Sequence, residues 1–87
     1  MEVRILVCGV TAAYKIRLMG AREVSANYVY TLKYRDYILW FRCKTNLCFP
    51  NPEWKKIHLI VEADNIYDLG YYILSELDKR VIPSIES

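Results

Sequence analysis

Four side chains in the sequence are of types that could hold a metal or act as a nucleophile: Cys8, Cys43, Cys48 and His58. Together they would make a Cys₃His set for zinc. Structural zinc sites draw their ligands in close pairs, two to four residues apart. Here four residues separate Cys43 from Cys48, and no second close pair exists, so no metal site is expected. A reactive thiol needs a neighbouring base or a helix N-terminus to lower its pKa. His58 is the one histidine, and alternation places it on the outer side of a strand with Ile60 and Glu62. Cys43 is expected to face the core, where free cysteine is common. No glycine-rich phosphate loop appears, and Asp64 and Asp68 read as helix caps. These residues therefore predict no enzyme activity, no cofactor and no metal.

Composition bounds what remains. The chain has 87 residues, of which 54% are hydrophobic and 14% aromatic, with only three glycines and three prolines. That supply suits one small core and argues against disorder. Net charge is +2. It divides unevenly: residues 1–56 carry ten Lys/Arg and four Asp/Glu, residues 57–87 two and six. An odd number of cysteines cannot all pair within one chain, and reduced thiols in a cytoplasmic compartment are expected. The opening run MEVRILVCGVTAA begins with Glu2 and is followed at once by Lys15 and Arg17. It is read as a strand rather than a signal peptide. No apolar run is long enough to span a membrane.

Positioning of the side chains follows from period-2 alternation, which recurs five times. EVRILVC, YKIRLM, NYVYTLKY, YILWFRCK and KIHLIVE are all rich in β-branched and aromatic residues, as strands are. A tight turn at Arg35–Asp36 would pair Tyr34 with Tyr37, Lys33 with Ile38, Leu32 with Leu39, Thr31 with Trp40, Tyr30 with Phe41 and Val29 with Arg42. Opposed residues share a face. Tyr28, Tyr30, Leu32, Tyr34, Tyr37, Leu39, Phe41 and Cys43 then form the core side. Asn27, Val29, Thr31, Lys33, Ile38, Trp40, Arg42 and Lys44 form the other.

Ile66, Leu69, Ile73 and Leu77 make an apolar stripe at helical spacing, with Asp64 or Asn65 as cap and Gly70 allowing close approach to the sheet. Residues 11–26 admit either a helix or a strand. Their apolar residues make a poor helical stripe and Gly20 interrupts it, so strand is preferred. A helix there would give the element order of double-stranded RNA-binding domains, but Asp64 and Asp68 stand where those domains carry a lysine cluster. No family is inferred. The expectation is one α+β domain over residues 1–87. It has a four- or five-stranded antiparallel sheet up to about residue 62, with one C-terminal helix over about 65–81 packed on its apolar face.

With no chemistry in sight, binding is the expected function. Alternation gathers Lys15, Arg17, Lys33, Trp40, Arg42 and Lys44 on the outer sheet face, with Arg4, Lys56, Leu6, Ile38 and Ile60. Phe49 and Trp54 flank two prolines in the loop LCFPNPEW, a rigid knob. Trp, Tyr and Arg dominate interface energies. Tyr67, Tyr71 and Tyr72 lie off the helical stripe. The leading expectation is a stoichiometric protein-binding protein, an inhibitor or adaptor, with a homodimer through sheet edge or face as one form. Its size and lack of motifs would suit a phage or mobile-element accessory protein, the anti-CRISPR kind included. The alternative is single-stranded RNA or DNA bound on the basic sheet face.

Overall fold

The computed structural model describes residues 2–25, 29–45 and 57–81. In chain order these form strand β1 (Glu2–Cys8), helix α1 (Ala12–Leu18), and strands β2 (Arg22–Ser25), β3 (Val29–Tyr34), β4 (Tyr37–Lys44) and β5 (Leu59–Glu62). A 3₁₀ turn (Ala63–Asn65), helix α2 (Leu69–Glu76) and a π-helical turn (Leu77–Val81) complete them. The five strands make one sheet in the order β2-β3-β4-β1-β5. The α+β class and the C-terminal helix on the apolar face are as expected from the sequence.

Two expectations change. The sheet is mixed: β2, β3 and β4 run antiparallel, but β1 pairs parallel with both β4 and β5. And residues 11–26 contain both a helix and a strand. The alternation of YKIRLM does not reflect a pleat, since Tyr14 and Leu18 are exposed and Ile16 is buried. Ala12 and Ile16, four apart, supply the inward face of α1, in a segment whose Ala, Lys, Arg and Leu all favour helix. Gly20 is the stop signal. At φ +100°, it donates its N–H to Arg17 O at 2.9 Å, and Ala21 N–H reaches Ile16 O at 3.3 Å. This pair of bonds is the Schellman closure that glycine permits after a helix.

The hairpin of β3 and β4 has the register read from sequence, from Tyr34 opposite Tyr37 to Val29 opposite Arg42. Its inward residues Tyr30, Tyr37, Leu39, Phe41 and Cys43 are buried, with Leu32 and Tyr34 packed at the margin. Val3, Ile5 and Val7 of β1 and Leu59 and Val61 of β5 continue that face. Ala12 and Ile16 of α1, and Leu69, Ile73 and Leu77, close over it. One core thus lies between the sheet and a layer of two helices. Asp68, not Asp64 or Asn65, caps α2: its Oδ1 accepts from Tyr71 N at 3.0 Å. Gly70 makes its close approach to Met19, beyond α1, rather than to the sheet; a Cβ there would sit 3.0 Å from Met19 Cγ.

Candidate functional site

The helix α1 separates residues that alternation had grouped. Lys15 and Arg17 are not on the outer sheet face but in the helical layer. The Lys15 ammonium donates to the carbonyls of Ala63 at 2.8 Å and Ile66 at 2.6 Å. It ties α1 to the approach of α2. One Arg17 Nη donates to the Tyr30 hydroxyl at 3.1 Å, with the guanidinium 5.7 Å from that ring's centre. Lys33, Trp40, Arg42 and Lys44 do share the sheet face turned away from the helices. Phe49 and Trp54, with Cys48, Lys56, Asn27 and Tyr28, lie outside the described residues.

Register arranges the second sheet face in rows. One runs Arg22, Thr31, Trp40, Arg4 across β2, β3, β4 and β1. On one side of it lie Lys33, Ile38 and Glu2; on the other, Val29, Arg42, Leu6 and Ile60, then Lys44, Cys8 and Glu62. The Trp40 indole N–H donates to Glu2 Oε1 at 2.6 Å, which fixes one edge of the ring. Glu62 accepts from Asn65 Nδ2 at 3.3 Å. Among the described residues, the side chains of Arg4, Arg22 and Lys33 make no ion pair and no hydrogen bond. His58 is placed beside Arg4. Its backbone N–H donates to Arg4 O at 2.8 Å, and its Nδ1 accepts from Arg4 N at 3.0 Å. The imidazole thus serves as a ladder acceptor at the start of β5. Leu6, expected among the exposed residues of this face, is fully buried, while Ile38 and Ile60 are exposed.

The opposite, helical surface carries the more exposed large side chains. Tyr14 (64% exposed) and Leu18 (69%) stand one turn apart on α1; Tyr67 (101%) and Tyr71 (76%) stand four residues apart at the start of α2. Between the end of α1 and the start of α2 opens a cavity of about 350 Å³, lined by Lys15, Leu18, Met19, Tyr67, Asp68, Leu69 and Gly70. Of this surface, sequence reasoning singled out Lys15, though for the outer sheet face, and Tyr67, Tyr71 and Tyr72. Tyr14 and Leu18 were missed because a strand assignment turned them inward.

The thiols do not form a reactive pair. Cys43 is free and buried, and burial pushes its thiol up to about 12, against a smaller opposing effect of Arg17. It stays protonated at neutral pH. Cys8 is disulfide-bonded, which corrects the expectation of reduced thiols throughout. Among the described residues, no three His, Cys, Asp or Glu side chains group as metal ligands.

Asp64 does different work from the capping expected of it. Its Oδ2 accepts from Val10 N at 3.0 Å, and its Oδ1 from Thr11 N at 2.9 Å and from the Thr11 hydroxyl at 2.6 Å. Those bonds, the Thr11 hydroxyl first, hold its carboxyl below the usual range. It locks the loop between β1 and α1 to the end of β5.

No family model, no curated protein and no solved structure matches the chain. No helix among the described residues is long and apolar enough to cross a membrane.

Proposed function

We propose that the protein acts by stoichiometric contact with a partner protein, as an inhibitor or adaptor, through its helical surface. The observation that carries this reading is the pair of exposed side chains Leu18 and Tyr67 lining the cavity between α1 and α2, with exposed Tyr14 four residues before Leu18 and exposed Tyr71 four residues after Tyr67. Large apolar side chains that a chain of this size leaves together at its surface mark an interaction site. Tyrosine adds a rigid apolar ring with a hydroxyl at its end, the combination that interface centres favour. The Leu18, Met19 and Leu69 side chains in the cavity lining suit an apolar anchor side chain from the partner. Disulfides persist in oxidising surroundings, so the bonded Cys8 does not support a cytoplasmic setting.

The test is affinity capture from lysate with quantified stoichiometry. It compares the wild-type chain with a Tyr67→Ala/Tyr71→Ala double variant and with Trp40→Ala. Both tyrosines are exposed and off the core, so the double variant should melt with the wild type. A partner held by this surface should be recovered near one to one. Its affinity should fall at least about 30-fold in the double variant, the loss expected of one interface hot spot, and stay unchanged in Trp40→Ala. Equal recovery by the double variant would sink the reading.

A further inference from the structure

The sheet face away from the helices has its own character, independent of the helical surface. Five cations lie there by register: Arg4, Arg22, Lys33, Arg42 and Lys44. Among the described residues, the two carboxylates on the same face are occupied, Glu2 by the Trp40 indole and Glu62 by Asn65. The side chains of Arg4, Arg22 and Lys33 have no partner among the described residues. Arg4 and Trp40 are half-buried, and Arg22 and Lys33 are exposed. Neighbouring strands lie about 4.8 Å apart, so the row from Arg22 to Arg4 crosses about 14 Å of sheet with Trp40 inside it.

That arrangement answers the two chemical needs of a nucleic-acid single strand. Guanidinium and ammonium groups meet the phosphates, and an aromatic ring takes a base face. A duplex offers its phosphates but not its base faces, which are stacked on one another. A surface with a ring set between cations therefore prefers the unpaired strand. The Trp40–Glu2 bond leaves this ring with one edge tied, so stacking costs less freedom than for a mobile side chain.

We propose that the row Arg22–Thr31–Trp40–Arg4, with Lys33 beside it, is a binding site for single-stranded nucleic acid. One base stacks on Trp40, and flanking phosphates are held by Arg4, Arg22 and Lys33. The site names Arg4 and Arg22, the latter brought to it by β2 pairing, and it excludes Lys15 and Arg17.

The test is fluorescence anisotropy with labelled oligo-dT and oligo-U of about 12 nucleotides, within the length range that single-strand sites cover. It is run on the full chain at several salt concentrations. Micromolar or tighter binding is expected, loosening as salt rises. Replacing Arg22 and Lys33 together by Ala should flatten the log–log salt slope by about 1.4, the loss of two phosphate contacts on a single strand. Trp40→Ala should weaken binding about tenfold or more, and Trp40→Phe, which keeps a ring and guards against a folding defect, much less. The Tyr67→Ala/Tyr71→Ala variant should bind like wild type. An unlabelled duplex should compete poorly, and an acidic poly-Glu peptide should compete only through charge, equally in wild type and Trp40→Ala. Three results would each overturn the proposal: no binding at the lowest salt, equal affinity in Trp40→Ala, or displacement by the peptide or the duplex as efficient as by the single strand itself.

Discussion

Arg35 sits at φ 55°, the one non-glycine residue with positive φ among those described. It is the first central residue of the two-residue turn between β3 and β4. Positive φ at the first central residue is a feature of the primed turns whose twist suits a hairpin. For an L-residue the left-handed region costs about 1–2 kcal/mol. What Arg35 gains in exchange is modest: an exposed ion pair to Asp78 at 3.1 Å and a position 5.0 Å from the Tyr34 ring centre. Exposed pairs contribute about 0.2–1 kcal/mol. Arg35→Gly is therefore expected to leave stability unchanged or raise it by up to about 1 kcal/mol. Arg35→Val should lower it by more than about 1 kcal/mol. Chemical denaturation of the three proteins, with unchanged m-values, checks this; a destabilised glycine variant would mean the Asp78 contact outweighs the strain. The register of this hairpin was legible because one face had to be buried, and Tyr30, Leu39 and Phe41 fix which. The strained residue was not, because no Asn-Gly or Asp-Gly pair marks the turn.

Among the elements, α1 was the least legible, for a physical reason. Seven residues make barely two turns, too few for a 3.6-residue period to separate from a period of two. The exposed Tyr14 and Leu18 filled the places that an alternating strand would bury. The informative residue was Gly20, which reads as an interruption but works as a helix stop. Asp64 posed a similar problem. By type it caps a helix as well as Asp68 does, and nothing local says that it turns instead toward Val10 and Thr11, more than fifty residues back. The position is tightly shared: Gly9, at φ +123°, would bring a Cβ to 2.7 Å from the Asp64 carboxylate. Because Asp64's folded pKa is lowered from its ordinary 3.8, its contribution is complete above that value. It is lost as pH falls through the lower folded pKa. Asp64→Asn is expected to reduce the melting temperature at neutral pH and to narrow its drop on acidification below about pH 4. Parallel thermal melts of the two proteins from pH 7 to pH 2 test this, and curves separated by a constant offset across that range would refute it.

For the molecule as a whole, the decisive fact is where β1 lies. It reads as an N-terminal strand of an antiparallel sheet, yet it is inserted between β4 and β5, parallel to both. Long-range partners decide that, and alternation within a strand is silent about them. The sequence does hold one trace of it. Central parallel strands are covered on both faces and read as continuous apolar runs rather than alternating ones, and Ile5-Leu6-Val7-Cys8 is such a run. All four residues are buried, so Leu6 is a core residue on the face that also carries Trp40 and the cations. Leu6→Ala is therefore expected to cost about 2–5 kcal/mol, as buried leucines do, and Ile5→Ala on the helical side a similar amount. A leucine on an ordinary open sheet face would cost within about 0.5 kcal/mol. Ile60→Ala, in the same row but exposed, is the internal control and should fall in that small range. Denaturant midpoints for the three variants separate the cases. Similar small losses for Leu6→Ala and Ile60→Ala would mean β1 is covered on one side only and is not the centre of the sheet. A large loss for Leu6→Ala beside a small one for Ile60→Ala would also bear on the nucleic-acid face. It would limit that site to the Arg22–Trp40–Arg4 row and the Lys33 side of it, away from the buried Leu6 and Cys8.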